Sequence, residues 1–138
     1  MSTNEEVRAA TPAEALGMTA EIGRAIAAVA NGEMEAGRLD TARDILEGLA
    51  ISNPYDPVTW AMLAVLERRR GSTLVASLCA ETAYRLAPLD ESVRLVRAEV
   101  MLCTPSERPR AADELRALRS AAEPVSARAR ALLAALAV

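Results

Sequence analysis

The side chains of this chain that could do chemistry are two cysteines and a few adjacent acid pairs. Cys79 and Cys103 do not form a CxxC motif, so they lack the spacing of a metal or redox site. Acid pairs such as Asp113-Glu114 are neighbours along the chain, so their carboxyl groups diverge and are expected to be solvated. The sequence has no histidine, and hence no Ser-His-Asp or Cys-His nucleophile and no imidazole metal site. We therefore expect a non-enzymatic protein without a metal or other cofactor.

The charge of the chain argues against a nucleic-acid partner. The net charge is −3, every basic residue is arginine, and the runs 68–70 and 128–130 are short and stand beside acids or alanines. We interpret these runs as solvated helix faces or as helix C-termini, where cations are favourable.

The N-terminus and the cysteines indicate a cytoplasmic protein that does not insert into membranes. "MSTNEEVRAATP" is acidic and polar, unlike a signal peptide, and the longest uncharged stretch, "AIAAVANG", is too short to span a bilayer. Cys79 and Cys103 lie in apolar helical patterns and are interpreted as small buried hydrophobes, which suits a reducing compartment.

Composition predicts an all-α domain to hold these residues. Half of the 138 residues are hydrophobic, only 2% are aromatic, and alanine and leucine dominate without runs of β-branched residues. After a disordered tail over 1–11, capping residues, prolines and glycines predict a single domain over 12–138. The expected helices cover 12–36 with a pause near Gly17, then 39–52, 57–70, 72–87, 91–103, 109–121 and 124 to the C-terminus. The short connections predict antiparallel neighbours.

One constant sequence spacing relates several positions that matter for structure. The pairs are Pro54 and Pro88, Gly37 and Gly71, Ala42 and Ala76, Ala30 and Ala64, Ile26 and Trp60, and Val29 and Leu63. A helix–turn–helix unit of this length, about 34 residues, resembles the tetratricopeptide repeat. The match is Trp60-x2-Leu63-Ala64-x2-Glu67, then Gly71, Ala76-x3-Ala80 and Pro88, although the family has Tyr where Glu67 stands and Phe where Ala80 stands.

The resemblance implies about three repeats, over 23–56, 57–90 and 91–124, and a capping helix over 124–137. The third repeat requires two extra residues in "TPSERP". Trp60, at the start of a helix, is expected to pack between the paired helices of its own repeat.

Stacked hairpins curve so that the first helix of each repeat lines a concave groove, and this groove is the predicted binding surface. Its predicted lining is Ala27, Asn31, Met34, Val58, Ala61, Met62, Val65, Leu95, Val96, Glu99 and Leu102. Such an apolar lining suits an extended peptide with apolar anchors, and methionines can repack around different ligands. The open alternative is that the chain's own terminal helices cover these residues.

The layout also resembles the class II chaperones of bacterial type III secretion. "NPYDPVTWAMLAVLERRRGS" is similar to their second repeat, and "LRSAAEPVSARARALLAAL" to their terminal stretch. The resemblance implies a cytoplasmic chaperone that holds a hydrophobic, translocator-like export substrate by a short Pro/Leu-containing segment. A needle-subunit co-chaperone and a generic scaffold in another bacterial assembly are the alternatives.

The resemblance further implies a homodimer through the N-terminal region. The apolar stripe of Leu16, Ile22, Ile26 and Val29 is available for that interface or for packing on the first repeat, and packing is the preferred interpretation.

Overall fold

The computed structural model describes residues 10–137, and every regular element within them is helical, which confirms the all-α class. The α-helices are α1 (Pro12–Ala15), α2 (Ala20–Glu35), α3 (Leu39–Ser52), α4 (Pro57–Arg69), α5 (Thr73–Leu86), α6 (Glu91–Met101), α7 (Arg108–Ala117) and α8 (Val125–Leu136). The predicted tail lies outside the described residues except for its last two, of which Thr11 is buried and caps α1.

The N-terminal region forms two helices where one helix with a pause was expected. Thr11 and Glu14 form a capping box that starts α1. Gly17 then adopts φ +71°, a left-handed conformation that ends a helix and that glycine adopts without a steric penalty. α2 starts afresh at Thr19, whose hydroxyl accepts a hydrogen bond from the Ile22 amide.

The turns within and between the repeats use the predicted residues. Asp56 accepts a hydrogen bond from the Val58 amide at 2.9 Å, and Asp90 accepts one from the Val93 amide at 3.1 Å. Each aspartate thereby satisfies a backbone donor at the start of α4 or α6. The first two hairpins turn at glycines in the left-handed conformation.

The C-terminal part departs from the predicted bounds. "TPSERP" contains a short 3₁₀ helix, Pro105–Glu107, directly followed by α7. The expected helix over 109–121 ends as an α-helix at Ala117 and continues as a 3₁₀ turn over Leu118–Ser120. Local 3₁₀ geometry of this kind is common where an α-helix ends.

Residues that lie one repeat length apart in the sequence occupy equivalent positions in the packed structure. Ala30, Ala64 and Ala98 follow one another at this interval, and each is 0% exposed. An alanine at these positions lets neighbouring helices approach closely, because its side chain occupies almost no space between them. The fold is therefore an array of packed helical hairpins of the tetratricopeptide type.

Two packed clusters form the interior. The first joins α2 to α5 with one residue of α6, and consists of Ala30, Met34, Ala42, Leu46, Leu49, Ala50, Leu63, Ala64, Leu66, Ala76, Cys79, Ala80 and Val100. The second joins α6 to the C-terminal helices, and consists of Ala98, Leu115, Leu118, Val125 and Ala129. α6 thus contributes to both clusters, and α8 covers the C-terminal end of the array.

Trp60 packs against the first cluster and is only partly buried. Its indole N–H donates a hydrogen bond of 2.8 Å to the carbonyl oxygen of Pro54, in the turn that precedes α4. The tryptophan therefore ties α4 to the turn before it, and its packing between the two helices of its own repeat stays a prediction.

Candidate functional site

A cavity of about 190 Å³ lies between α2, α4 and α6. We call it the central cavity. The predicted groove residues that line it are Asn31, Met34, Val58, Ala61, Met62, Val65 and Val96. The first helix of each hairpin contributes to the lining, as the repeat register predicts.

The central cavity is apolar on its walls and polar at its edge. Met62, Val65 and Val96 pack against the first cluster, so they are held in place from behind. Asn31, Asp90 and Ser92 contribute polar side chains; Asn31 donates to Glu35, and Asp90 caps α6. An incoming chain would therefore meet mainly hydrophobic surface.

The described terminal helices leave the central cavity uncovered. None of its lining residues belongs to α1, α7 or α8. Val58, at its edge, is 52% exposed. Within residues 10–137, the arrangement thus differs from the alternative in which the chain's own ends fill the groove.

The rest of the predicted lining lies elsewhere: Leu95 and Glu99 are on α6, and Leu102 caps its C-terminus. Leu95 and Leu102 pack against the second cluster, on the side of α6 that the C-terminal helices cover. Glu99 forms ion pairs with Arg68 on α4, at 3.8 Å, and with Arg128 on α8, at 2.6 Å. These three residues lie on one face of α6. The C-terminal helices cover that face, so it does not line the groove.

Ala27, the remaining predicted lining residue, belongs to a second and larger cavity of about 540 Å³. This N-terminal cavity lies between α1, the first half of α2, the end of α3 and the start of α4. Its lining is Thr11, Ala13, Glu14, Met18, Thr19, Ala20, Gly23, Arg24, Ala27, Leu49, Asn53, Asp56, Val58 and Thr59. Val58 lines both cavities, so the two adjoin at the start of α4.

Three lining residues of the central cavity, Asp90, Ser92 and Val93, are absent from the predicted lining. The repeat provides a signal that could have identified them, because they stand one repeat length after Asp56, Val58 and Thr59. The earlier three lie at the start of α4, and the later three lie at the start of α6.

The predicted N-terminal stripe divides into a packed residue and exposed residues. Ile26 packs against the first cluster. Leu16, Ile22 and Val29 are exposed, so the preferred interpretation that the whole stripe packs on the first repeat is wrong for them. α1 packs against α3.

The reactive side chains of residues 10–137 form no arrangement that is typical of a catalytic site. Burial raises the pKa of the Cys79 thiol to about 11, with a smaller contribution from the Glu67 carboxylate, so this thiol stays protonated at neutral pH. Cys103 is exposed. No group of three or more potential metal-ligating side chains occurs in the described part of the chain. The helices of that part also include none with the length and hydropathy to cross a bilayer.

Solved structures share this fold at low sequence identity. The translocator chaperone SycD of type III secretion in Yersinia enterocolitica matches with a TM-score of 0.79 and 16% identity, over 93% of this chain and 99% of its own. PcrH from Pseudomonas aeruginosa matches with a TM-score of 0.73 and 21% identity, over 87% of this chain and 95% of its own.

Peptide complexes are among these similar structures. SycD with a peptide of the translocator YopD matches with a TM-score of 0.70 and 17% identity, over 87% of this chain and 95% of that one. The first tetratricopeptide domain of Spaghetti, or RPAP3, bound to an HSP90 peptide, matches with a TM-score of 0.68 and 18% identity, over 87% of this chain and 97% of that one. No protein-family model matches the chain, and no curated protein matches it in sequence. The comparisons therefore establish the tetratricopeptide-type fold.

Proposed function

We propose that this protein is a cytoplasmic, non-enzymatic chaperone of type III secretion that holds an apolar segment of a translocator-like export substrate. The observation that carries the proposal is the uncovered apolar cavity between α2, α4 and α6, with Met62 and Val65 on its wall. The solved complexes of SycD with a YopD peptide and of PcrH with the chaperone-binding region of PopD support a peptide in a fold of this kind.

The physical basis of such holding is burial of apolar surface. An export substrate that exposes apolar side chains in water is prone to aggregate, and seating part of it in the groove removes that surface from water. Met34 and Met62 are unbranched and can adjust to different side chains. No energy source is needed, because binding alone shifts the equilibrium away from self-association.

We further propose a homodimer through the exposed face of α2. Ile22 and Val29 lie seven residues apart, or about two helical turns, and thus on the same side of the helix. Leu16, in the turn after α1, is also exposed. An alternative dimer has been solved for SycD, which supports dimer formation in this fold.

The test of the chaperone function is co-purification of the substrate from the native cell, with mass spectrometry to identify it. Met62→Glu and Val65→Glu place a carboxylate in the apolar cavity, so each should abolish recovery of a hydrophobic secreted protein. Leu78→Glu is the matched control, because Leu78 is exposed on α5 and does not line either cavity. Retention of the substrate by both groove variants would show that the groove does not bind it.

A generic scaffold is the second candidate function, and one observation favours it. Leu74 and Leu78 are exposed on α5, whereas the positions one repeat length earlier on α3 carry Asp40 and Asp44. The middle repeat therefore presents an apolar outer face that the first repeat lacks. If Leu78→Glu loses the recovered partner and Met62→Glu keeps it, the scaffold is the better description.

A further inference from the structure

The N-terminal cavity is almost three times the volume of the central cavity, at about 540 Å³ against about 190 Å³. Its volume falls within the range of about 300 to 1,000 Å³ that is typical of ligand pockets in proteins. The proposed function uses only the central cavity. The N-terminal cavity therefore lacks an assigned occupant.

The two cavities adjoin at Val58 and follow one another along α2. Asn31 and Met34 line the central cavity, while Ala20 and Gly23 line the N-terminal one, and Val58 on α4 borders both. The rise of an α-helix places Ala20 and Met34 about 21 Å apart along the axis. A fully extended polypeptide covers that distance with about six residues.

We propose that the N-terminal cavity is a second subsite of the groove, which takes the continuation of the same extended partner segment. This inference rests on the proposed function, since the segment in the central cavity is the one that continues past Val58. The small residues Ala20, Gly23 and Ala27 allow the backbone of that segment to approach α2 closely.

Polar groups in the N-terminal cavity suit a peptide main chain. Among the described residues Arg24 has no hydrogen-bond or ion-pair partner, and it lines the cavity. The Asn53 side chain accepts a hydrogen bond from the Tyr55 amide, which leaves its amide N–H groups available. Both side chains can thus donate hydrogen bonds to the carbonyl oxygens of a bound peptide.

The charge of the N-terminal cavity disfavours an acidic ligand. Among the described lining residues, Glu14 and Asp56 contribute two carboxylates against the one guanidinium of Arg24. The Asp56 oxygens are already hydrogen-bonded, to the Val58 amide at 2.9 Å and to the Thr59 hydroxyl at 3.1 Å. A neutral or basic segment is therefore expected here, with an apolar side chain against Leu49 and Val58.

Gly23 provides a variant that fills the N-terminal cavity without straining the fold. A Cβ built on Gly23 meets no atom within 4 Å, and the same is true of Gly48 on α3. Leucine is also a better helix former than glycine in the interior of a helix. Gly23→Leu therefore occupies the cavity, and Gly48→Leu is the matched control outside it. Both variants are expected to melt at or above the wild-type temperature.

The experiment measures binding of a 16-residue peptide, selected from a random display library against the wild-type protein, by fluorescence anisotropy. Gly23→Leu should weaken binding by about ten- to a hundred-fold, which is the effect of excluding one large apolar side chain. Arg24→Ala, which leaves the cavity open, should weaken it by a few-fold, and Gly48→Leu should have no effect. A peptide shortened by six residues at the appropriate end should lose sensitivity to Gly23→Leu and stay sensitive to Met62→Glu.

Two results would overturn the inference in distinguishable ways. Wild-type affinity of both Gly23→Leu and Arg24→Ala, together with loss of binding in Met62→Glu, would reject the second subsite and leave the proposed function intact. Wild-type affinity of Met62→Glu, or failure to select any binding peptide, would reject the proposed function and the subsite with it.

Discussion

Replacing Glu99 by glutamine tests whether this residue fastens the C-terminal helix or belongs to the binding groove. The Glu99 side chain is 11% exposed and lies between Arg68 on α4 and Arg128 on α8. Glutamine keeps the size of the side chain and removes its charge, so α4, α6 and α8 lose their shared anion. The expected result is a less stable protein with unchanged peptide binding.

The size of the effect follows from the exposure of the two arginines. The 2.6 Å contact to Arg128 involves a side chain that is 53% exposed, so solvent screens it and it contributes about 0.5 to 1 kcal/mol. Arg68 is 31% exposed and more distant, at 3.8 Å. Its Nε is nevertheless buried and without a hydrogen-bond partner within residues 10–137, so the guanidinium depends on a nearby anion. Together these contacts give about 1 to 1.5 kcal/mol.

Thermal unfolding followed by circular dichroism measures this loss. For a domain of this size, 1 kcal/mol corresponds to a fall in Tm of about 3 to 5 °C. A double-mutant cycle with Arg128→Ala should give a coupling of about 0.5 to 1 kcal/mol, which falls at high salt. Asp113→Asn is the control, because its i,i+3 pair with Arg116 is more exposed and should cost less than about 0.5 kcal/mol.

An unchanged Tm in Glu99→Gln, together with loss of peptide binding, would refute this reasoning. That result would support the assignment of Glu99 to the binding groove, which the sequence predicts from the helical register of α6.

Three further predictions concern packing, charge and thiol reactivity. Ala64→Leu should lower the free energy of unfolding by about 1 to 3 kcal/mol in urea titrations, because the 0% exposed alanine leaves no room for a larger side chain; an unchanged midpoint would mean that these helices are loosely packed. The Arg70 guanidinium lowers the pKa of Asp40. The stabilisation from this pair is therefore complete at pH values above the unfolded-state pKa of Asp40, and it is lost as the pH falls through the folded-state pKa. Asp40→Asn should therefore reduce the acid sensitivity of Tm between about pH 5 and 2, and an unaltered acid profile would contradict the pairing. At pH 8, iodoacetamide should label Cys103 and spare Cys79, whose pKa is about 11, whereas denaturant should expose both thiols; rapid labelling of both in the native protein would show that Cys79 is accessible.

Much of the fold could be predicted because its determinants are local along the chain. Asp56, Pro57 and Asp90 start helices through hydrogen bonds and a fixed φ within one turn. Gly37 and Gly71 form the turns of the first two hairpins, because the backbone there has a positive φ that glycine adopts freely. Such signals recur at the repeat spacing, so the sequence could determine the repeat and the helices that face the groove.

The groove was predicted only in part, because helical register does not show which neighbour covers each face. Met62 and Val65 lie on α4, whose groove side no other described element covers, and they line the central cavity as expected. Leu95 and Leu102 have equally apolar side chains, but the C-terminal helices pack against α6, so these two residues are partly buried against the second cluster. Glu99 was assigned to the groove for the same reason and pairs instead across three helices.

The sequence by itself thus determined the all-α class, the hairpin repeat and the apolar character of the surface between α2, α4 and α6, since each depends on contacts within one or two helical turns. Only the tertiary structure decided which faces remain accessible, because the docking of the C-terminal helices onto α6 joins residues far apart in the chain. The tertiary structure also determined that the N-terminal cavity exists. The chain breaks at Gly17, α1 packs against α3, and a space remains beside Gly23 that no local sequence pattern predicts.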